Sequence, residues 1–144
     1  MNLKRALGIG LVLYIVTFLI GVILTIIART IQLQSQIAYW IITIVVTVLP
    51  TSLASLWYFK GKNAQRNSKE GLKLGVMFVI IGLILDLMFF IPILFKSGGA
   101  AVIIGYYKEP SFYFTMLLVI VTSIFIGSRN EKEKRENSKP AKKK

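Results

Sequence analysis

The chain has 144 residues, of which 55% are hydrophobic, and carries 18 lysines and arginines against six acidic residues, for a net charge of +12. Its mean hydropathy of +0.68 excludes the composition of an ordinary soluble domain, so the lipid bilayer must be part of its solvent. Cysteine and histidine are absent, which removes disulfides and the commonest general base and transition-metal ligands. We therefore expect no enzymatic activity, no cofactor and no metal site.

Four apolar segments are long enough to cross a membrane as helices. A helix needs about 20 mostly apolar residues to span about 30 Å of hydrocarbon. The segments at about 6–28, 37–59, 72–95 and 111–127 meet this requirement. The sequence thus predicts that residues 1–128 form an all-α integral membrane domain, a four-helix bundle.

The segments between and after these spans differ in character. The connector at 29–36 is short enough to form a hairpin, and 60–69 is a basic polar loop. Within the Gly-rich connector 96–110, the apolar stretch 100–107 predicts a short interfacial helix or a re-entrant turn. Residues 129–144 carry eight basic and three acidic side chains without apolar periodicity, which predicts a disordered basic tail.

The distribution of basic residues predicts the orientation. The two termini, the middle loop and Lys73 at the start of the third span hold 15 of the 18 lysines and arginines, and the other two connectors hold three. Cytoplasmic loops carry the excess of positive charge, so both termini are expected in the cytoplasm. Trp57 and Tyr58 are then expected in the inner aromatic belt, and Tyr39, Trp40 and Tyr106 in the outer one. We expect the tail to contact anionic lipid head groups, with no DNA partner.

Asp86 is the one ionisable residue other than tyrosine in the interior of a predicted span, since Lys73 lies at the very start of the third. A carboxylate there costs about 2.5 to 3.5 kcal/mol on the insertion scale, so it needs an explanation. Counting residues places it just beyond the midplane, at the depth of Gly21, of 43–47 including Thr47, and of Thr115. Three interpretations stay open: a proton or cation site with Thr47 and Thr115, a structural hydrogen bond to a threonine or tyrosine, and a salt bridge to another subunit.

Small residues recur at helical spacing and predict helix-packing seams, because helices in lipid associate through close backbone approach. Asp86 shares one such seam, within about a 60° sector of the third span. The predicted seams comprise Gly71, Gly75 and Gly82 on the third span and Thr17 and Gly21 on the first.

Pro50 lies inside the second predicted span and predicts a kink there. Proline removes one backbone donor and clashes with the preceding turn, which bends a helix. Thr47, Thr51 and Ser52 are spaced to hydrogen-bond the freed carbonyl groups. Such a bend suits either a static kink or the hinge of a transporter.

The third span carries a further pattern: Glu70-Gly71, then Gly75, then Leu85-Asp86 and Pro92. These residues resemble the third span of small uncharacterised prokaryotic four-span membrane proteins with a Glu-Gly start and an embedded Leu-Asp. The resemblance covers about 25 residues and implies four spans of similar size and importance for Asp86 and the glycines. It also implies a prokaryotic cytoplasmic membrane, but brings no activity.

Three functions are compatible with these features. The first is a non-catalytic packing or accessory protein, as a homo-oligomer or as a subunit of a larger membrane complex, suggested by the seams. The second is a small proton- or cation-linked transporter or channel that uses Asp86. The third is a membrane-biogenesis helper whose basic tail binds the ribosome or lipid.

Overall fold

The computed structural model describes residues 2–30, 36–61, 64, 67–94 and 99–137, and this part of the chain contains five helices and no strand. The helices are α1 (Leu3–Thr30), α2 (Gln36–Phe59), α3 (Ser68–Leu94), α4 (Gly99–Lys108) and α5 (Pro110–Asn137). All except α4 contain a segment long and apolar enough to cross a membrane: Leu3–Leu24, Gln36–Phe59, Ser68–Phe89 and Pro110–Arg129. The prediction of an all-α four-helix bundle is confirmed.

The stretch predicted as an interfacial helix or re-entrant turn is a helix, α4, which packs against α3 and α5. It ends where α5 begins, because Pro110 has no N–H to continue a helix and suits a first helical position. We call this end of the bundle the α4 end. The opposite end, where α1 begins and α2 ends, is the termini end.

The prediction of a disordered tail is wrong for residues 129–137, because α5 continues to Asn137. The sequence Glu-Lys-Glu-Lys-Arg-Glu consists of strong helix formers and places opposite charges three and four positions apart. A charged segment without an apolar face can therefore extend a helix that the membrane has already nucleated. Residues 138–144 of the predicted tail lie outside the described residues.

The closest helix packing is between α3 and α5, and glycines make it possible. A Cβ atom on Gly71 would lie 2.5 Å from the backbone oxygen of Ser123, and one on Gly75 would lie 2.8 Å from the Cα atom of Ile120. On α5, a Cβ atom on Gly127 would lie 2.7 Å from the backbone oxygen of Asn67. Part of the predicted seam is therefore filled by a helix of the same chain.

The termini end is closed by a buried polar cluster. The Tyr58 hydroxyl donates a 2.6 Å hydrogen bond to Oε1 of Glu70 and accepts a 3.0 Å bond from the backbone N–H of Asn2. Tyr58 is 0% exposed and Glu70 4% exposed. The prediction that Tyr58 joins the aromatic belt is wrong, because its phenol instead satisfies a buried carboxyl group. This cluster joins α1, α2 and α3.

Candidate functional site

The four spans and α4 line a partly open cavity of about 450 Å³. Tyr39, Tyr106 and Glu109 line it toward the α4 end, and Gly10 and Thr51 line its part closer to the termini end. A cavity of this size falls in the range of small-molecule sites, about 300 to 1,000 Å³. The bundle is therefore not filled along its whole length by its own side chains.

Asp86 lines this cavity and is held by two phenols. The Tyr14 hydroxyl on α1 donates a 2.7 Å hydrogen bond to Oδ1 of Asp86, and the Tyr106 hydroxyl on α4 also hydrogen-bonds the carboxylate. The Tyr14 ring stacks on Phe18 and Phe89, at centroid separations of 6.3 Å from each. The aromatic contacts fix the phenol, and the phenols fix the carboxylate.

The pKa values of the two tyrosines of α4 are raised above the ordinary value of a phenol. Burial raises the pKa of Tyr106 to about 12, and the charge of Asp86 adds to the effect. Burial likewise raises the pKa of Tyr107, again with a contribution from Asp86. Both phenols therefore keep their protons at neutral pH, and Tyr106 can donate to Asp86 throughout the physiological range.

The structure brings only some of the predicted site residues to Asp86. Thr47 and Thr115 line the same cavity, but the Thr115 hydroxyl donates to the backbone oxygen of Ser111 at 2.5 Å. The hydrogen-bond partners of Asp86 are Tyr14 and Tyr106, not threonines. The depth of a residue along its helix does not identify Tyr14 or Tyr106 as partners, because a tyrosine side chain reaches across more than one helical turn.

The predicted seam residues that do not pack against α5 lie in different surroundings. Gly82 and Thr17 line the cavity, and the Thr17 hydroxyl donates to the backbone oxygen of Leu13 at 2.8 Å. A Cβ atom on Gly21 or Gly82 would meet nothing within 4 Å among the described residues. Gly82 therefore widens the cavity instead of packing a helix.

Thr51 sits on the wall of the cavity with an unused hydroxyl. The residue is 1% exposed, and its Oγ1 atom has no hydrogen-bond partner in the described part of the chain. The expectation that it satisfies a carbonyl freed by Pro50 is wrong; α2 continues through Pro50, which is buried. A buried hydroxyl without a partner costs about 1 to 3 kcal/mol. The Oγ1 atom is also closed to a water-sized molecule, so it does not face the open part of the cavity.

The charges on the cavity wall are of one sign. Among the residues described, the wall contains two carboxyl groups, Asp86 and Glu109, and no lysine or arginine. No group of three or more histidine, cysteine or acidic side chains that could hold a metal ion occurs in the described ranges. The two carboxyl groups give the site the chemistry to take up a proton or to attract a positive charge.

Buried side chains pack across the bundle between the cavity and the termini end. The hydroxyl groups of Ser55 on α2 and Ser123 on α5 are 3.2 Å apart and buried. Further along lies the cluster of Tyr58, Glu70 and Asn2, about 11 Å from Thr51 by the rise of α2. Among the described residues, these contacts close the bundle on the termini side of the cavity, and Tyr39, Tyr106 and Glu109 line the cavity toward the α4 end.

Comparison with known proteins adds no family. No family model matches the sequence, and searches of curated proteins and of solved structures each found no match. The function must therefore be inferred from the cavity and the groups that line it.

Proposed function

We propose that this protein is a small proton- or cation-linked membrane transporter in which Asp86 is the group that binds the proton or cation. The observation that carries the proposal is a carboxylate, held by two phenols, on the wall of a cavity inside a membrane bundle. Ionisable groups at membrane depth are costly and commonly line ion pathways. An acid that only stabilised the fold would not need an open cavity beside it.

Several titratable groups surround the carboxylate, and none of those named here carries a positive charge. Tyr14 comes from α1 and Tyr39 from α2, while α4 supplies Tyr106 and Tyr107. Glu109, beside the start of α5, also lines the cavity. Apart from Asp86 and Glu109, the titratable groups named here are phenols, so the charge state of the site follows the carboxyl groups and what they bind.

We place the α4 end on the outer side of the membrane and both termini in the cytoplasm, on the asymmetry of the basic residues. The structure then corresponds to an outward-facing state, with the cavity nearest the outer surface. Passage inward would require the contact between Ser55 and Ser123 and the bond between Tyr58 and Glu70 to separate. These two contacts are the proposed inner gate.

The packing or accessory role that the seams suggested has less support. The faces of Gly71 and Gly75 are occupied by α5, which leaves them unavailable to a second subunit. Gly21 has open surroundings but is a single small residue. For the basic tail we propose contact with anionic head groups, which neither requires nor excludes a larger membrane complex.

Transport can be tested in proteoliposomes by replacing Asp86 with asparagine. Gradients of sodium, of potassium and of a primary amine are imposed in turn, and lumenal pH and cation content are followed. We expect flux in at least one condition, and its reduction by Asp86→Asn to the level of protein-free liposomes, because the amide cannot take up a proton or balance a cation.

Asp86→Glu keeps the charge and serves as the matched control, with partial retention of flux expected. Flux that Asp86→Asn leaves unchanged would contradict the proposal. Absence of flux above protein-free liposomes under every gradient would contradict it as well.

A further inference from the structure

We propose that the cavity binds an organic amine carrying one positive charge, with its ammonium group on Asp86 and its apolar body among the apolar side chains of the cavity wall. This inference rests on the proposed function for the role of Asp86 and adds the class of the ligand. It follows from the hydrogen-bonding capacity of the carboxylate and from the volume and lining of the cavity.

The carboxylate retains room for further donors. A carboxylate offers about four acceptor positions, and Tyr14 and Tyr106 occupy two of them. A ligand that donates N–H groups can take the others, and an ammonium group also balances the negative charge. A bare metal ion would leave most of a cavity of about 450 Å³ empty and would find too few oxygen ligands.

Apolar and aromatic side chains make up most of the remaining cavity wall. A charge without an apolar body would lose its hydration there and gain little in return. These side chains include Leu13, Phe78, Val79, Leu83, Met116 and Val119.

Equilibrium binding of matched probes to the full chain in nanodiscs tests this inference. The probes are 2-phenylethylamine, the neutral 2-phenylethanol and the anionic 3-phenylpropionate, measured by titration calorimetry against empty nanodiscs. We expect binding of the amine alone above the empty-disc background. Asp86→Asn should weaken that binding about tenfold or more, and Asp86→Glu should restore part of it.

The outcomes separate the two proposals. Equal binding of the alcohol and the amine, or amine binding that Asp86→Asn leaves intact, would overturn the amine site. Sodium or potassium flux that depends on Asp86 in a protein that binds no amine would overturn the ligand class and leave the transporter standing. Amine binding that depends on Asp86, without flux of any tested cation, would support the site and contradict transport.

Discussion

Replacing Gly82 with phenylalanine is expected to abolish both amine binding and flux while leaving the bundle folded. Gly82 lines the cavity one helical turn from Asp86, and a Cβ atom there would meet nothing within 4 Å. A benzyl group at this position would enter the open space without displacing backbone. It would occupy the volume that we assign to the ligand's apolar body.

Gly21→Phe is the matched control for Gly82→Phe. Its surroundings are equally open, but Gly21 does not belong to the cavity wall. Thermal unfolding in detergent and binding of 2-phenylethylamine are measured on both variants. Both should unfold close to the wild-type temperature, and only Gly82→Phe should lose binding. Normal binding in a folded Gly82→Phe protein would show that the ligand does not use this cavity.

Replacing Gly71 with leucine is expected to destabilise the bundle strongly. Its Cβ atom would lie 2.5 Å from the Ser123 backbone oxygen and 2.9 Å from the Cα atom of Ile124. Those atoms belong to the α5 backbone, so they cannot turn aside as a flexible side chain would. Overpacking of this kind costs about 1 to 3 kcal/mol, and the shift of a whole helix can raise the cost.

The measurement is the midpoint of thermal or denaturant unfolding in a fixed detergent. Gly8→Leu is the control, because Gly8 lies toward the same end of the bundle and a Cβ atom there would meet nothing within 4 Å. We expect a clear loss of stability for Gly71→Leu and little change for Gly8→Leu. Equal stability of the two variants would mean that α3 and α5 do not pack as described.

The course of the chain through the membrane could be predicted because hydropathy and span length are local properties of the sequence. The apolar character of 100–107 likewise indicated α4. The helical extension of α5 to Asn137 was missed, since a charged segment without an apolar face carries no periodic signal. Helix propensity and the spacing of opposite charges are the sequence features that favour this helical extension.

The candidate site was predictable in part. Asp86 stood out because a carboxylate is rare in an apolar span. Its partners Tyr14 and Tyr106 could not be identified from depth alone, because the rotation of each helix and the reach of each side chain decide which groups meet. Thr51 illustrates the same limit, since only the surrounding packing leaves its hydroxyl without a partner.

Cysteine labelling tests whether the cavity beside Asp86 is open to the outer side of the membrane, as we propose. The chain has no cysteine, so each introduced thiol is unique. Thr115 lines the cavity, whereas Leu117, two residues further along α5, is 58% exposed on the surface that faces lipid. The two positions differ in depth by only about 3 Å.

A membrane-impermeant, positively charged methanethiosulfonate reagent is applied to the outside of intact cells that express Thr115→Cys or Leu117→Cys. We expect the reagent to label Thr115→Cys and not Leu117→Cys. Adding Asp86→Asn to Thr115→Cys should slow the labelling, because the attraction of the carboxylate for the positively charged reagent is lost. Protection of Thr115→Cys, or equal labelling of both positions, would contradict a cavity that is open to the outside.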